Sequence, residues 1–123
     1  MTLHQLALST ATTFAEVTVS QPFGDGCDVF KVMDKVFMLS FHLHGKAAIN
    51  LKVTPDHGVM LRDIYTYIKV GWHMNKQHWI SVYEDEECDT DLVNDLITNS
   101  YALVVSKLTK AEKSTLALTQ SLN

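Results

Sequence analysis

The middle of this chain has the hydrophobic period of β-strands, and this restricts the fold more than any other feature. From Val29 onward, apolar and polar residues alternate in three consecutive runs, at residues 29–32, 36–44 and 48–53. A period of two is typical of strands that bury one face. The connections at residues 33–35 and 45–46 are short enough for hairpins. We therefore predict an antiparallel meander of three strands.

Helical patterns flank these strands. Thr2 and Gln5 have capping-box spacing, and the apolar residues after them recur at three and four, which predicts a helix over residues 3–16. Thr54 and Pro55 are typical of a helix start, with a hydroxyl to cap the first turn, and predict a second helix over residues 56–65. The clearest helical repeat covers residues 92–108, after a cap at Asp89 or Thr90. A short final helix fits residues 109–118.

Two more strands, at residues 68–70 and 79–83, fall between the second and third helices. The predicted order is therefore α-β-β-β-α-β-β-α. An antiparallel sheet of this kind needs its apolar face covered, and the helices can cover it from one side. We predict an α+β fold, a two-layer sandwich with all helices on one face of the sheet. A length of 123 residues is that of one domain, so residues 1–123 are expected to form a single unit.

Composition predicts a soluble protein. The chain is 46% hydrophobic and 20% charged, as is usual for globular domains. Its first ten residues contain no Lys or Arg and no unbroken apolar stretch, and no apolar run approaches the roughly 20 residues of a membrane span. Cys27 and Cys88 lie outside any Cys-x-x-Cys pattern, so we expect reduced thiols. The expectations are a cytoplasmic location, no membrane partner and no cofactor.

Charge is distributed unevenly along the chain. The net charge of −4 disfavours strong nonspecific attraction to nucleic acid. However, residues 29–83 carry seven Lys and Arg against three Asp, whereas residues 84–95 carry seven acids and no Lys or Arg. The sequence thus predicts a mildly basic middle section followed by an acidic cluster.

Alternation also predicts which residues the open face of the sheet presents. If the apolar positions of each strand face the helices, they form an inner set of Phe37, Leu39, Phe41, Ile49, Leu51, Ile80 and Val82. The opposite face then carries Lys31, Met38, Ser40, His42, Asn50, Lys52, Trp79, Ser81 and Tyr83. A face of lysines, amides and aromatic rings can stack bases and hold phosphates, or it can bind a protein.

The densest group of polar and aromatic residues is the run from Gly71 to Trp79, GWHMNKQHW. His73 and His78 are five residues apart, unlike the pair spaced by four in metalloproteases. His42 and His44 lie two apart and would point the same way on a strand, but spacing assigns no third ligand. No spacing pairs a nucleophile with a base. We expect neither a metal site nor catalytic residues, and interpret the run as a structural corner.

Several segments together resemble the MmcQ/YjbR family over nearly the whole chain. They are PFG at residues 22–24, VFKV at 29–32, NLK at 50–52, HMNKQHW at 73–79 and SYALV at 100–104. The resemblance implies a small α+β sandwich similar in shape to frataxin. It also implies DNA binding through an architecture described as a double wing, without a catalytic residue set.

Two functions remain open from the sequence. The first is a non-enzymatic DNA-binding module whose affinity is weak and dependent on salt. Its contact residues would be Lys31, Lys52 and Lys76 on phosphates and Trp79, with His73 or Asn75, on bases; Asn50 shares the same predicted surface. The second is a protein-interaction or small-ligand module that uses the open sheet face and has no role with nucleic acid.

Overall fold

A computed structural model describes residues 1–122, with side chains through Gln120, so position 123 of the expected domain lies outside the described residues. Residues 1–122 form a six-stranded antiparallel sheet and four helices. The elements in chain order are α1 (Leu3–Ala11), β1 (Val17–Ser20), β2 (Asp28–Val32), β3 (Lys35–Leu43), β4 (Lys46–Lys52), α2 (Pro55–Ile64), β5 (Ile68–Val70), β6 (Trp79–Tyr83), α3 (Thr90–Ser106) and α4 (Lys110–Leu122).

The strands lie in the order β1-β2-β3-β4-β6-β5. Residues from all four helices are buried against one side of the sheet, including Ala7, Leu61, Ile97 and Leu116. We call this side the inner face and the opposite side the outer face. The predicted fold class, an α+β sandwich with helices on one face, is confirmed.

The first helix is shorter than predicted, and a strand follows it. The capping box forms, because Gln5 N donates to Thr2 Oγ1 at 3.1 Å and Thr2 N donates to Gln5 Oε1 at 2.9 Å. The helix nevertheless ends at Ala11, and the residues after it include two β-branched threonines, a type with low helix propensity. Glu16, at a φ of 58°, redirects the chain into β1. The prediction of helix to residue 16 was therefore wrong, and the sheet has one strand more than expected.

The second helix begins where it was predicted, but without the predicted hydroxyl cap. Pro55 occupies the first turn of α2, where its missing N–H leaves no intrahelical bond unmade. Thr54 is the N-cap residue by its backbone, but its hydroxyl makes no capping hydrogen bond. The predicted hydroxyl cap is thus wrong.

A β-bulge in β3 corrects the predicted faces of the sheet. Phe30 pairs with Met38 and Lys31 pairs with Val36, which leaves Phe37 without a partner on β2. Phe37 and Met38 both lie in the core beneath the helices. Beyond the bulge the alternation is displaced by one residue. Contrary to prediction, Met38, Ser40 and His42 therefore belong to the inner face, whereas Leu39 and Phe41 belong to the outer face.

A serine on α3 bonds the backbone groups beside the bulge. Ser100 Oγ accepts a hydrogen bond from Lys52 N at 2.8 Å and donates one to Phe37 O at 2.5 Å. Ser100 is fully buried, so these two backbone groups would otherwise lack partners in a dry environment. This contact fixes α3 against the sheet, directly behind Lys52 on the outer face.

Candidate functional site

Lysines occupy the outer face of the sheet. The strand register places Lys31, Lys46, Lys52 and Lys69 at outward positions. Of the outward positions in the six strands, all of which are described, none is Asp or Glu. Because no outward strand position carries a carboxylate, these lysines make the face more positive than the whole chain, whose net charge is −4.

Three of the predicted site residues lie in one row across this face. Lys31 on β2 pairs with Val36, and Lys52 on β4 pairs with Trp79 on β6. Lys31 and Lys52 are two strands apart, so their backbones are separated by about 10 Å. Both side chains and the indole of Trp79 are partly exposed. The row therefore joins two ammonium groups and an aromatic ring at one end of the outer face.

The other two outward lysines share their end of the sheet with an acid. Lys46 and Lys69 border a shallow depression together with Tyr83 and Asp85. The Asp85 carboxylate offsets part of their positive charge. The end of the outer face that holds Lys31 and Lys52 is consequently the more positively charged one.

The segment between β5 and β6, residues 71–78, folds back over the outer face; we call it the corner loop. Trp72 N donates to Ser81 Oγ at 2.9 Å, and Asn50 Nδ2 donates to Trp72 O at 2.9 Å. Ser81 also donates to Asn50 Oδ1. Asn50 and Ser81 are 1% and 0% exposed. Asn50, predicted as a contact residue, is therefore an anchor for the corner loop beneath the surface.

The tip of the corner loop is held by Asn75. Its side-chain Oδ1 accepts hydrogen bonds from Gln77 N at 2.9 Å and His78 N at 3.3 Å, as in an Asx turn. The carbonyl of His78 then accepts from Val53 N at 2.8 Å, which returns the chain to the sheet. Asn75 thus has a folding role, and the neighbouring Lys76 is exposed at the loop tip.

A groove lies beside the corner loop. Its volume is about 440 Å³, and one wall is formed by Trp72, His73 and Met74. The other wall comes from the β1–β2 connection at residues 23–27, and the floor comprises Leu39, Phe41 and Asn50. Because the bulge turned Leu39 and Phe41 outward, the floor presents these two apolar residues beside Asn50, and His42 also lines the groove.

Aromatic rings dominate this groove. Phe41 and Trp72 stack with ring centroids 5.2 Å apart and planes 22° apart. The rings of His73 and Trp72 are nearly perpendicular, and their centroids are 4.1 Å apart. Phe23 is 76% exposed and Trp72 is 41% exposed. Such apolar surface left in water on a small protein is typical of a binding site.

Two further groups at the groove bear on its chemistry. Asp25 is the one carboxylate among the described residues that line it. The thiol of Cys27 also lines it, and burial, together with the Asp28 carboxylate, raises the pKa of that thiol above its ordinary value. Cys27 is therefore a neutral thiol at physiological pH. Neither Cys27 nor Cys88 forms a disulfide.

The structure brings together most of the predicted site residues, but not all in the same role. Lys31, Lys52 and Trp79 share the row, and His73 borders the groove, while Asn50 and Asn75 hold the corner loop. Sequence reasoning missed Phe23, Phe41 and Trp72 as residues that line the groove. Trp72 lies within the GWHMNKQHW run, so its residue type was an available signal. Phe41 could not have been found without the bulge.

A histidine metal clamp is not formed. His42 packs against His4 of α1, with ring centroids 4.7 Å apart. His44 lies beyond the end of β3, in the hairpin turn, at a φ of 52°. The expectation that His42 and His44 point the same way was therefore wrong. Within the described residues, no cluster of three or more His, Cys, Asp or Glu could hold a metal ion.

Comparison with known proteins confirms the resemblance to the YjbR family. The model of the YjbR family matches residues 12–103. The chain belongs to the YjbR family. It is 46% identical over 111 residues to the uncharacterized protein YbdF of Escherichia coli O157:H7, covering 90% of this chain and 91% of that protein. It is 28% identical over 83 residues to the uncharacterized protein YjbR of Escherichia coli strain K12, covering 68% and 70% of the two chains.

Two solved structures match as well. A crystal structure of Deinococcus radiodurans protein DR2400, described as domain DUF419, superposes with a TM-score of 0.86 at 32% identity, covering 95% of this chain and 89% of that one. A Pseudomonas syringae protein superposes with a TM-score of 0.71 at 25% identity, covering 84% and 98% of the chains. Among the described residues, this YjbR-family chain contains no helix both long and apolar enough to cross a membrane.

Proposed function

We propose that this YjbR-family protein binds DNA through the outer face of its sheet, without a catalytic role. One observation carries the proposal: outward strand positions hold four lysines and no carboxylate. Phosphate contacts by Lys and Arg supply most of the sequence-independent affinity for nucleic acid. The resemblance to the MmcQ/YjbR family implies the same function.

The distribution of acids on the molecule supports this choice of face. Asp91 and Asp95 lie on α3, and Asp56 and Asp63 lie on α2, so they belong to the helix layer. Glu84 Oε2 accepts a hydrogen bond from Leu3 N at the start of α1, also on the helix side. The helices also carry Arg62, Lys107, Lys110 and Lys113, so their charges nearly balance, whereas the outer strand positions carry lysines alone. The outer face of the sheet is therefore the side that attracts a polyanion more strongly.

Each contact residue has a role that follows from its position. Lys31 and Lys52 bind phosphates along the row, and Lys76 binds a phosphate from the tip of the corner loop. Trp79, which shares the row with both lysines, offers an aromatic surface to a base. His73 contacts a base from the groove wall, whereas Asn50 and Asn75 act indirectly by holding the corner loop in place.

A titration of labelled single- and double-stranded DNA tests the proposal. Three phosphate contacts predict that affinity falls about 20- to 40-fold between about 50 and about 200 mM salt. Lys52→Glu should weaken binding, while Lys113→Glu on α4, with the same change of charge on the helix side, should change it little. Absence of binding at the lower salt, or affinity insensitive to salt, contradicts the proposal.

The groove favours a second candidate, a small-ligand or protein-interaction module with no nucleic-acid role. Its volume of about 440 Å³ and its apolar lining are in the range of pockets that bind small molecules. The same titration separates the two candidates. No DNA binding at low salt for the folded protein would favour the second.

A further inference from the structure

We infer that the groove beside the corner loop receives one unstacked base, so that the ligand class is single-stranded nucleic acid in preference to duplex. The inference rests on the proposed function and deepens it, because it assigns the groove to the same ligand as the lysine row. The occupant is identified by two features together, the aromatic lining of the groove and the charge of the face around it.

The aromatic surfaces are placed for stacking. Trp72 lies over the outer face on the floor residue Phe41, and its own hydrogen bonds to Ser81 and Asn50 fix its backbone there. Phe23 projects from the opposite wall, in a connection where Gly24 and Gly26 have φ angles of 95° and 94°. A base that enters between these walls meets the ring of Phe23, which is 76% exposed, and stacking on aromatic side chains tolerates any base.

The lysine row lies within reach of the same ligand. Asn50 on the floor precedes Lys52 by two residues on β4, and Leu39 on the floor pairs with Val29, which precedes Lys31 by two residues on β2. Two residues along a strand span about 7 Å. A strand whose base occupies the groove can therefore place a neighbouring phosphate at Lys31 or Lys52.

Asp25 determines the direction of the backbone. Its carboxylate at the rim repels a phosphate on the β1–β2 side of the groove. The sugar-phosphate backbone must therefore pass on the side of the lysine row. The polar groups of Asn50 are already bonded to Trp72 and Ser81, so the groove holds a base by its ring face more than by its hydrogen-bonding edge.

A duplex does not fit this arrangement. Bases inside a double helix are stacked on both faces, and presenting one ring face to a pocket requires its extrusion. A single strand presents such faces without that cost. We therefore expect little dependence on base sequence and a clear preference for single strands.

The test uses an oligothymidine strand and a blunt duplex with the full-length protein. Phe23→Ala should lower affinity for the single strand by about 5- to 150-fold, the range for losing one stacked base. Phe23 is 76% exposed, so its truncation leaves the core intact. Leu118→Ala on α4, where the side chain is 68% exposed, is the matched control and should not change affinity.

Alkylation gives an independent readout. Bound oligothymidine should slow the reaction of Cys27 in the groove with iodoacetamide and leave Cys88 unchanged, because Cys88 packs against the core on the helix side. If neither DNA binds, the proposed function fails together with this inference. If duplex binds as tightly as the single strand, or Phe23→Ala and Cys27 alkylation show no effect, the groove inference alone is overturned.

Discussion

Gly71 and Trp79, the first residue of the corner loop and the first of the strand that follows it, lie in direct contact. Gly71 N donates to Trp79 O at 2.9 Å, and a β-carbon added to Gly71 would lie 2.6 Å from Cβ of Trp79. Only glycine allows the two backbones to approach this closely. The contact holds the start of the corner loop against the strand that follows it, and so positions Trp72 over the sheet.

We predict that Gly71→Ala destabilises the protein by about 1–3 kcal/mol, the range for forcing atoms into an occupied space. The new methyl group would also lie 3.0 Å from the Trp79 backbone, which cannot move as a flexible side chain would. Urea denaturation followed by circular dichroism measures the change. A loss below about 0.5 kcal/mol, as for an ordinary surface substitution, would contradict the close approach.

Substitutions of two buried serines should distinguish an effect on stability from an effect on DNA binding. Ser81→Ala leaves Trp72 N and Asn50 Oδ1 without their hydroxyl partner, and Ser100→Ala does the same to Lys52 N and Phe37 O. We expect each to cost about 1–3 kcal/mol of unfolding free energy. Only Ser81→Ala should also weaken DNA binding, because Ser81 holds the corner loop whereas Ser100 holds α3. Equal binding by both variants would show that the corner loop does not matter for the ligand.

Two substitutions of Asn75 should distinguish its role in folding from the effect of charge on DNA affinity. Asn75→Ala removes the acceptor for Gln77 N and His78 N and should cost about 0.5–2 kcal/mol, as loss of a helix cap does. Asn75→Asp keeps an acceptor at the same position and should retain most of the stability. Its added negative charge should nevertheless reduce DNA affinity. Thermal melts and the DNA titration, run on both variants, measure the two effects; a stable Asn75→Ala protein would contradict the Asx turn.

The thiol of Cys27 predicts a pH dependence. Burial raises its pKa, and the Asp28 carboxylate adds to the increase. A raised pKa means that the neutral thiol persists to higher pH than in an unfolded chain, and alkylation requires the thiolate. The rate of reaction with iodoacetamide should therefore rise with pH around a midpoint above that of a free cysteine. Asp28→Asn should lower that midpoint. A midpoint at or below the value for a free thiol would contradict the burial.

Much of the fold could be predicted from the hydrophobic period, because in most elements the apolar positions of the sequence are the buried ones. The strands β4 and β6 and the helix α3 have regular spacing, and their inward residues are those expected. The prediction failed where one residue departs from the period. Phe37 is the extra residue of a bulge, and a single insertion exchanges the two faces for the rest of its strand. Near the N-terminus the prediction failed as well. Phe14 and Val17 fit a helical spacing, although the chain turns at Glu16 between them.

The candidate site was partly predictable for a similar reason. Lys31, Lys52 and Trp79 lie at regular outward positions, so alternation alone placed them together. The groove is different, since Phe23 and Trp72 are far apart in sequence and meet only across the tertiary fold. No pattern within either segment indicates that they face each other. The hydrogen-bonded role of Asn50 likewise depends on the path of the corner loop.

Whether the outer sheet face binds DNA is tested most directly by the salt dependence of single-stranded DNA binding when lysines are removed from one face or the other. Replacing Lys31 and Lys52 by Ala should reduce the slope of log affinity against log salt by about 1.4, for two lost phosphate contacts. Replacing Lys107 and Lys113 of the helix layer by Ala should leave the slope unchanged. Equal slopes for the wild type and the Lys31/Lys52 variant, or a reduced slope for the Lys107/Lys113 variant, would contradict the assignment of the outer sheet face as the DNA-binding surface.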